Sequence, residues 1–332
     1  MRPGIDRKQS IVIINELKRR SGKSLDLAKK AILTEKIEYE RLRAALEYYV
    51  TNWCDFTHSG VLSLACETVG GEPDSALSVQ AAAAMMAAAF DIQDDIIDQS
   101  TSKHGLPTVF GKYGECIAIL LANAFLVDGF TMLHESVASL PRKEAKQVFE
   151  NLKQALSEVG NAHALELDLK KKIDAEPEQY LRIFEMKAAS IEADMRIGAI
   201  VGNGTCKEIE ALGSFGRVLG VLTQLREEFA DVFEIEEFNH RLRKEYLPLP
   251  VLLAMQEKES RDRIGPLLRR GDVGIKDSST IVDVVFQAAS VEKLQERMKE
   301  LVDRSIRLLA RTRKCKSKKI LIDLATSMLE DL

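Results

Sequence analysis

The stretch AAFDIQDDIIDQS, residues 88–100, places four aspartates at the end of one of the most apolar parts of the chain. The stretch overlaps the preceding run AAAAMMAAAF, residues 81–90, whose small and apolar residues are typical of a buried helix. Asp94 and Asp98 are four residues apart, so their side chains lie one turn apart on the same helix face. Like charges at that spacing repel each other, and the negative end of the helix dipole disfavours them further. The stretch therefore predicts a ligand that neutralises these carboxylates.

A divalent cation fits two hard carboxylates, and Mg²⁺ is preferred because it binds one or two carboxylates together with water and phosphate oxygens. An acidic face turned to solvent is the simpler alternative. A second cluster favours the metal, because in LREEFAD, residues 225–231, Glu227 and Glu228 are adjacent and Asp231 follows one turn later. Two such helix segments facing each other across a bundle could hold metal ions between them, and a diphosphate would bridge those ions.

The rest of the chain has the pattern of an all-α protein. Apolar residues recur three and four apart over long segments, sustained strand alternation is absent, and 8 prolines and 19 glycines cluster between those segments. No low-complexity linker or fixed repeat divides the 332 residues. We predict a single domain over residues 1–332 with roughly ten or more helices. Helix breaks are expected at residues 69–76, 103–108, 173–179, 202–205 and 246–250.

Composition excludes several classes of protein. A net charge of −4 gives no electrostatic basis for nucleic-acid binding. The five cysteines lack metal-site spacing and suit a reducing compartment. The N-terminus lacks a signal-type apolar core, and no uninterrupted apolar run reaches the ~18–20 residues of a membrane span. We therefore predict a cytoplasmic protein without a transmembrane segment.

The order and spacing of five segments resemble the trans-isoprenyl (polyprenyl) diphosphate synthases, a family with the all-α isoprenoid synthase type I fold. The resemblance covers about residues 60–254. It implies a single-domain helical bundle whose central cavity lies between the helices with the two acidic motifs, with further helices over residues 1–50 and 255–332. The segments that carry it end in or contain FDIQDDIID (90–98), KHGLPTVFGKYG (103–114), YLRIFEMKAASIEADM (180–195), FGRVLGVLTQLREEFAD (215–231) and YLPLPVLLAM (246–255).

The resemblance implies an alkyl (prenyl) transferase, EC 2.5.1.-, in which about three Mg²⁺ ions assist departure of pyrophosphate from an allylic prenyl diphosphate. The cation then condenses with isopentenyl diphosphate, as in a geranyltranstransferase, a farnesyl synthase or a longer-chain synthase. By position, the catalytic residues are Asp94, Asp95, Asp98 and Lys187. The metal ligands are Asp94, Asp98, Glu227, Glu228 and Asp231. The diphosphate-binding residues are Lys103, His104, Lys187, Gln224 and Lys244. The resemblance also implies a homodimer.

The helix before the first motif is expected to form the pocket for the prenyl chain. In the family, bulky residues there act as a floor that stops elongation. Phe90, Ala89 and Met86 are the candidate pocket residues, and alanine at position 89 leaves part of the floor open. We therefore expect a substrate or product longer than fifteen carbons, with ordinary close packing of a small-residue helix as the alternative.

Two departures from the family pattern concern the isopentenyl diphosphate site. The Gly-Lys-x-x-Arg-Pro segment of the family is replaced by CDFTHSG, residues 54–60, which has no lysine or arginine. His58 is its only potentially cationic residue, and a surface or capping role is predicted for it. The family's pair of arginines after the first acidic motif is replaced by Lys103 and His104. Lysine can still place a charge on a phosphate, but it lacks the bidentate fork of arginine. The allylic half of the site is preserved and the isopentenyl half is eroded.

Three hypotheses follow from this asymmetry. The chain is a prenyl diphosphate synthase with an unusual isopentenyl site, or it transfers the prenyl cation to another acceptor or cyclises it. The third hypothesis is a non-catalytic subunit that pairs with an active homologue.

Overall fold

The structure is a computed structural model that describes residues 8–103, 105–170, 172 and 175–330. These residues form sixteen α-helices, one short 3₁₀-helix (Pro73–Ala76) and one two-stranded hairpin, which confirms the predicted all-α class. The helices are α1 (Lys8–Leu33), α2 (Glu40–Asn52), α3 (Thr57–Thr68), α4 (Leu77–Ile97), α5 (Val109–Tyr113), α6 (Glu115–Val137), α7 (Arg142–Leu167), α8 (Pro177–Lys187), α9 (Ala189–Val201), α10 (Cys206–Phe233), α11 (Ile235–Lys244), α12 (Leu249–Gln256), α13 (Lys258–Leu268), α14 (Ile275–Gln287), α15 (Ala289–Leu309) and α16 (Lys316–Ser327). The antiparallel strands are β1 (Ser102–Lys103) and β2 (Leu106–Pro107).

Helices α3, α4, α9 and α10 form the centre of the bundle. They are apolar on most of their circumference, and a helix of that kind is stable only when other helices surround it. Small residues let the central helices approach closely. At Gly129 of α6, an added Cβ would lie 2.8 Å from the Cγ atom of Met86 in α4. At Gly198 of α9, it would lie 2.3 Å from the backbone oxygen of Leu62 in α3.

The terminal helices pack on this centre. Helix α1 contacts α3 and α4, and α16 contacts α3 and α1, so the first and last described helices join the same bundle. A single domain over residues 1–332 stays a prediction. Three of the expected breaks, residues 69–76, 103–108 and 202–205, lie between consecutive α-helices. In the fourth, 246–250, α12 begins at Leu249, so its last two residues are helical. The fifth, 173–179, is described in part, and α8 begins inside it at Pro177, the position where proline starts a helix without losing a hydrogen bond.

Two helical segments of the described chain are long and apolar enough to cross a membrane by length and composition alone. They are Pro73–Ile97 and Glu115–Val137, with mean hydropathy of 1.4 and 2.0 over their most apolar windows. Polar residues interrupt both segments, so neither is an uninterrupted apolar run. Their windows are 61% and 39% buried inside the protein, and α4 and α6 pack extensively against each other. Burial in the bundle accounts for the composition of α4. The absence of a transmembrane segment and the cytoplasmic location stay predictions.

The close contact of α3 and α9 yields a prediction for stability. Gly198→Ala should destabilise the protein by about 1–3 kcal/mol, because the new methyl group meets the backbone of α3. Gly160→Ala is the matched control: Gly160 lies in α7 with no atom near its absent side chain, so alanine should stabilise by about 0.4–1 kcal/mol. Urea unfolding of the two variants measures both changes. Equal stability of the two variants would contradict the predicted contact.

Candidate active site

The two acidic motifs line one cavity of about 820 Å³ inside the bundle. Asp94 and Asp95 of the first motif and Glu227 of the second motif share its wall with Lys103 and Lys187. The motifs lie near the C-terminal ends of α4 and α10, so two helices that are distant in sequence present carboxylates to the same space. The sequence prediction that both motifs face a common cavity agrees with this arrangement.

The first motif carries an excess of negative charge. Oδ1 of Asp94 is buried and has no hydrogen-bond partner among the described residues, and Nε2 of His163 lies 3.6 Å from it. Asp98 lies one turn further, just outside the cavity wall, with Nζ of Lys170 3.4 Å from its Oδ1. Burial raises the pKa of Asp98 to about 7, and the charge of Asp94 adds to the rise. A cation bound here would relieve both the missing contact and the repulsion.

The hairpin β1–β2 places Lys103 beside the first motif. Nζ of Lys103 lies 2.6 Å from Oδ1 of Asp91 and 3.9 Å from Oδ1 of Asp95. Burial raises the pKa of Asp95 to about 7 in spite of this lysine. For Lys103 itself the nearby aspartates outweigh the effect of burial and raise its pKa, so it stays charged. His104, the neighbouring predicted phosphate ligand, lies outside the described residues.

Glu227 is the residue of the second motif that faces the cavity. Its Oε2 accepts a hydrogen bond from Nε2 of Gln224 at 3.1 Å, and both residues line the cavity wall. Enclosure by the bundle raises the pKa of Glu227 to about 7, and the charge of Asp231 contributes. Gln224 thus contacts the acidic motif directly, and its role as a diphosphate ligand stays a prediction.

The other two acids of this motif turn away from the cavity, toward Arg241. Oε2 of Glu228 accepts the backbone N–H of Leu249 at 2.6 Å, and its Oε1 lies 2.8 Å from Nη2 of Arg241. Oδ2 of Asp231 accepts a hydrogen bond from Nη1 of Arg241 at 2.6 Å. Both carboxylates are satisfied by protein groups. Glu228 points away from the cavity because it is adjacent to Glu227 on the helix, whereas Asp231, one turn after Glu227, is drawn to Arg241. These contacts fix α10 to α11 and α12, and the role of Glu228 and Asp231 as metal ligands stays a prediction.

Lys187 reaches the cavity from the end of α8. Its Nζ lies 2.7 Å from Oε1 of Glu166, which also accepts a hydrogen bond from the hydroxyl of Tyr246 at 2.7 Å. Burial alone would lower the pKa of Lys187, yet Glu166 and Asp94 raise it to about 12. The ammonium group is thus held charged and in place. Lys244, by contrast, lies outside the cavity wall, and its Nζ donates a hydrogen bond to Oε1 of Gln99 at 3.2 Å.

Three residues near the site were not predicted from the sequence. His163, Glu166 and Lys170 lie on α7 and the turn that follows it, and they contact Asp94, Lys187 and Asp98 in that order. Their signal is the spacing within HALELDLK, residues 163–170, which places polar residues three and four apart on one helix face. That face of α7 surrounds the first motif with groups of both charges.

One face of α4 lines the apolar part of the cavity. Val79, Ala83, Met86 and Phe90 face it, as does Ala87. Ala89 was expected to open the floor of the pocket, but it is fully buried in the core formed with α1, α2 and α6. The helical repeat explains the difference, because position 89 lies on the face opposite to the cavity. The opening therefore comes from Ala87 and Ala83.

The fit of these donors to Mg²⁺ depends on their chemistry and their spacing. Among the described residues, no three histidine, cysteine or acidic side chains are grouped closely enough to hold a metal ion by themselves. Mg²⁺ needs few protein ligands, because it keeps several waters and takes up phosphate oxygens. The donors here are the unpartnered Oδ1 of Asp94 and the carboxylates of Glu227 and Asp98, whose pKa values are raised to about 7. A bound Mg²⁺ would stabilise the charged form of these carboxylates.

Comparison with known proteins identifies the family. A family model described as polyprenyl synthetase matches residues 8–285. The chain is 29% identical over 241 residues to a short chain isoprenyl diphosphate synthase of Methanothermobacter thermautotrophicus, covering 70% of this chain and 73% of the relative. It is 25% identical over 325 residues to a geranylgeranyl diphosphate synthase of Methanosarcina mazei, covering 96% and 98%.

Solved structures agree on the fold. A geranylgeranyl pyrophosphate synthetase from Pyrococcus horikoshii superposes with a TM-score of 0.85 at 22% identity, covering 97% of this chain and 99% of that one. The chain belongs to the polyprenyl synthetase family. The predicted family, its fold and its class of prenyl-transferring enzymes are confirmed.

Proposed function

We propose that this family member is a magnesium-dependent prenyltransferase that ionises an allylic prenyl diphosphate at the polar end of the cavity. The observation that carries the proposal is the convergence of Asp94, Glu227, Gln224, Lys103 and Lys187 on one wall of a single cavity. Carboxylates for a metal and lysines for a phosphate group are placed there next to an apolar channel. A prenyl diphosphate has the same two parts, an anionic head and a hydrocarbon tail.

Asp94, Asp98 and Glu227 would hold the Mg²⁺ ions, of which the resemblance implies three. When bound, the metal supplies Lewis-acid stabilisation of the departing pyrophosphate. Lys187 and Lys103 add fixed positive charge, and the amide of Gln224 orients Glu227 through their hydrogen bond. Glu166 and Asp91 position the two lysines through the contacts described above. The apolar wall behind them keeps water from the prenyl cation.

The depth of the channel supports a prenyl chain longer than fifteen carbons. Along α4, Val79 lies fifteen residues before Asp94, which corresponds to about 22 Å of helix. The names of several relatives, which are geranylgeranyl diphosphate synthases, agree with this length. We propose a chain of about twenty carbons for the allylic substrate or the product.

Condensation with isopentenyl diphosphate is a second element of the function, favoured by the relatives. Both quoted relatives are prenyl diphosphate synthases by name. Against it, residues 53–58 line the cavity where the family places a lysine and an arginine, and this segment contains neither. Chain elongation therefore rests on family membership, whereas ionisation of the allylic substrate rests on the site itself.

We also propose a homodimer formed through α6. Ile119, Leu120 and Val127 are 42%, 51% and 63% exposed along one face of this helix, which is the more exposed of the two strongly apolar helices. An apolar stripe of this kind is expected to be covered, and a second copy of the chain is the partner that the family resemblance implies.

Magnesium-dependent release of pyrophosphate tests the metal site. Asp94→Asn should lower the rate of release from geranylgeranyl diphosphate at least about a hundredfold, because it removes a carboxylate from metal ions that stabilise the leaving group by several kcal/mol. Asp283→Asn, a change of an exposed carboxylate on α14, is the control and should leave the rate unchanged. Full activity of Asp94→Asn would remove that residue from the site. Lack of release by the unchanged protein would favour the non-catalytic subunit.

Two substitutions on the cavity face of α4 test the channel. Ala87 and Ala83 lie about 10 Å and 16 Å along the helix from Asp94, so phenylalanine at either position should block the channel at a different depth. Ala83→Phe should reduce pyrophosphate release from the twenty-carbon substrate and spare shorter ones. Ala87→Phe should also exclude the fifteen-carbon substrate. Assays with ten-, fifteen- and twenty-carbon diphosphates measure the order, and an unchanged length preference in both variants would place the tail elsewhere.

Light scattering coupled to gel filtration tests the dimer. Val127→Lys places a charge in the apolar face of α6 and should convert the dimer into a monomer. Ile275→Lys is the control, since Ile275 is 84% exposed on a different helix, α14, and its replacement should leave the mass unchanged. A monomeric unchanged protein would refute the proposed interface.

A further inference from the structure

Two histidines line the cavity, and their surroundings differ. Nδ1 of His58, in the first turn of α3, lies 2.6 Å from Oδ2 of Asp194 in α9. The predicted surface or capping role of His58 therefore does not hold, because a buried carboxylate binds its ring. The ring of His163, in α7, makes no hydrogen bond within the described part of the chain. His163 is thus the cavity histidine whose ring is available to a ligand.

His163 lies against the first acidic motif. Its Nε2 is 3.6 Å from Oδ1 of Asp94, which is longer than an N–H···O hydrogen bond. That oxygen is buried and finds no hydrogen-bond partner in the ranges that the structure describes. Both side chains line the cavity, and the side chain of His163 is only 12% exposed. A nitrogen donor and an oxygen donor therefore lie side by side, and no hydrogen bond to the protein satisfies either of them.

The two outer aspartates of the first motif differ in the groups that compensate their charge. Nζ of Lys170, just after the end of α7, lies 3.4 Å from Oδ1 of Asp98, so a cation of the protein compensates that carboxylate. No lysine or arginine of the described ranges lies within ion-pair distance of Asp94, and His163 occupies that position. A neutral imidazole contributes a lone pair but no charge. Asp94 and His163 together therefore leave room for the charge of a metal ion.

The distance between the two donors suits an octahedral ion. Bonds of Mg²⁺ to its ligands are about 2.0–2.1 Å long, so neighbouring ligand atoms of such an ion lie about 3 Å apart. A small rotation of either side chain brings Nε2 of His163 and Oδ1 of Asp94 to that separation. Waters and diphosphate oxygens would fill the remaining positions. A nitrogen ligand favours transition metals, whereas Mg²⁺ prefers oxygen ligands.

We propose that His163 is a ligand of the metal ion that Asp94 binds, and that this position therefore binds Mn²⁺ or Co²⁺ more tightly than Mg²⁺. The inference rests on the proposed function, because that function places a metal ion at Asp94. Mg²⁺ still binds there through oxygen donors, but it gains little from the imidazole. His163 is thus a residue that determines which metal the site prefers.

Pulsed electron paramagnetic resonance of Mn²⁺ tests the ligand directly, because the electron spin couples to the nuclei of bound ligands. The full chain, in excess over Mn²⁺ and inorganic pyrophosphate, is prepared with ordinary histidine and with histidine that carries the heavy nitrogen isotope. We expect a phosphorus coupling and a nitrogen coupling that changes with the isotope. Phosphorus coupling without nitrogen coupling would overturn the inference and leave the proposed function intact. Failure of the protein to retain Mn²⁺ with pyrophosphate in equilibrium dialysis would overturn both.

A variant of His163 separates metal binding from a structural role. His163→Gln should abolish the nitrogen coupling and weaken the binding of Mn²⁺ and Co²⁺ about tenfold or more, because a nitrogen ligand is lost. The affinity for Mg²⁺ should change less than about twofold, which also shows that the variant folds. His134→Gln is the matched control, since His134 is exposed near the end of α6 and lies outside the cavity wall.

The control variant should keep the nitrogen coupling and the affinities of all three ions. Equal weakening of Mn²⁺, Co²⁺ and Mg²⁺ binding by His163→Gln would show a structural role and overturn the assignment. A nitrogen coupling that survives in His163→Gln would assign the ligand to another residue and would overturn it as well.

Discussion

Repulsion between carboxylates is the constraint on which the site depends. Asp94, Asp95 and Asp98 end one central helix, and Glu227 approaches from another, in a space that is partly closed to water. In such surroundings acids hold their protons more tightly, which is why the pKa values of Asp95, Asp98 and Glu227 rise to about 7. Packing of the two helices brings these carboxylates together, so a cation that binds at this end of the cavity would relieve their repulsion.

Lysine side chains of the protein partly neutralise this negative charge. Lys103 comes from a short hairpin, Lys187 from the end of α8, and Lys170 from the turn after α7. Each lysine contacts an acid, so the charge of the site is shared among several elements. A diphosphate with its metal ions would enter a site whose charges of both signs are already in position, which reduces the reorganisation needed for catalysis.

The two ends of the cavity have different electrostatics. At the end with the acidic motifs negative groups are in excess, whereas at the α2–α3 connection His58 and Asp194 form a pair of opposite charges 2.6 Å apart. A scaffold that ionises one diphosphate can change its second substrate by altering only the wall around that second position. Family membership is thus informative about the first step of the reaction and less so about the acceptor, because fold and function separate at the site.

The sequence by itself determined the all-α class, the positions of most helix breaks and the two acidic motifs, because helical period and like-charge spacing are local properties of a chain. Only the tertiary structure decided which side chains face the cavity. Glu227 faces it while Glu228 binds Arg241, and Ala87 lines it while Ala89 is packed in the core. Neighbouring residues on a helix point in different directions, and local spacing does not reveal which direction another helix will cover. The same reason hid the His58–Asp194 pair, which exists only because α3 and α9 pack together.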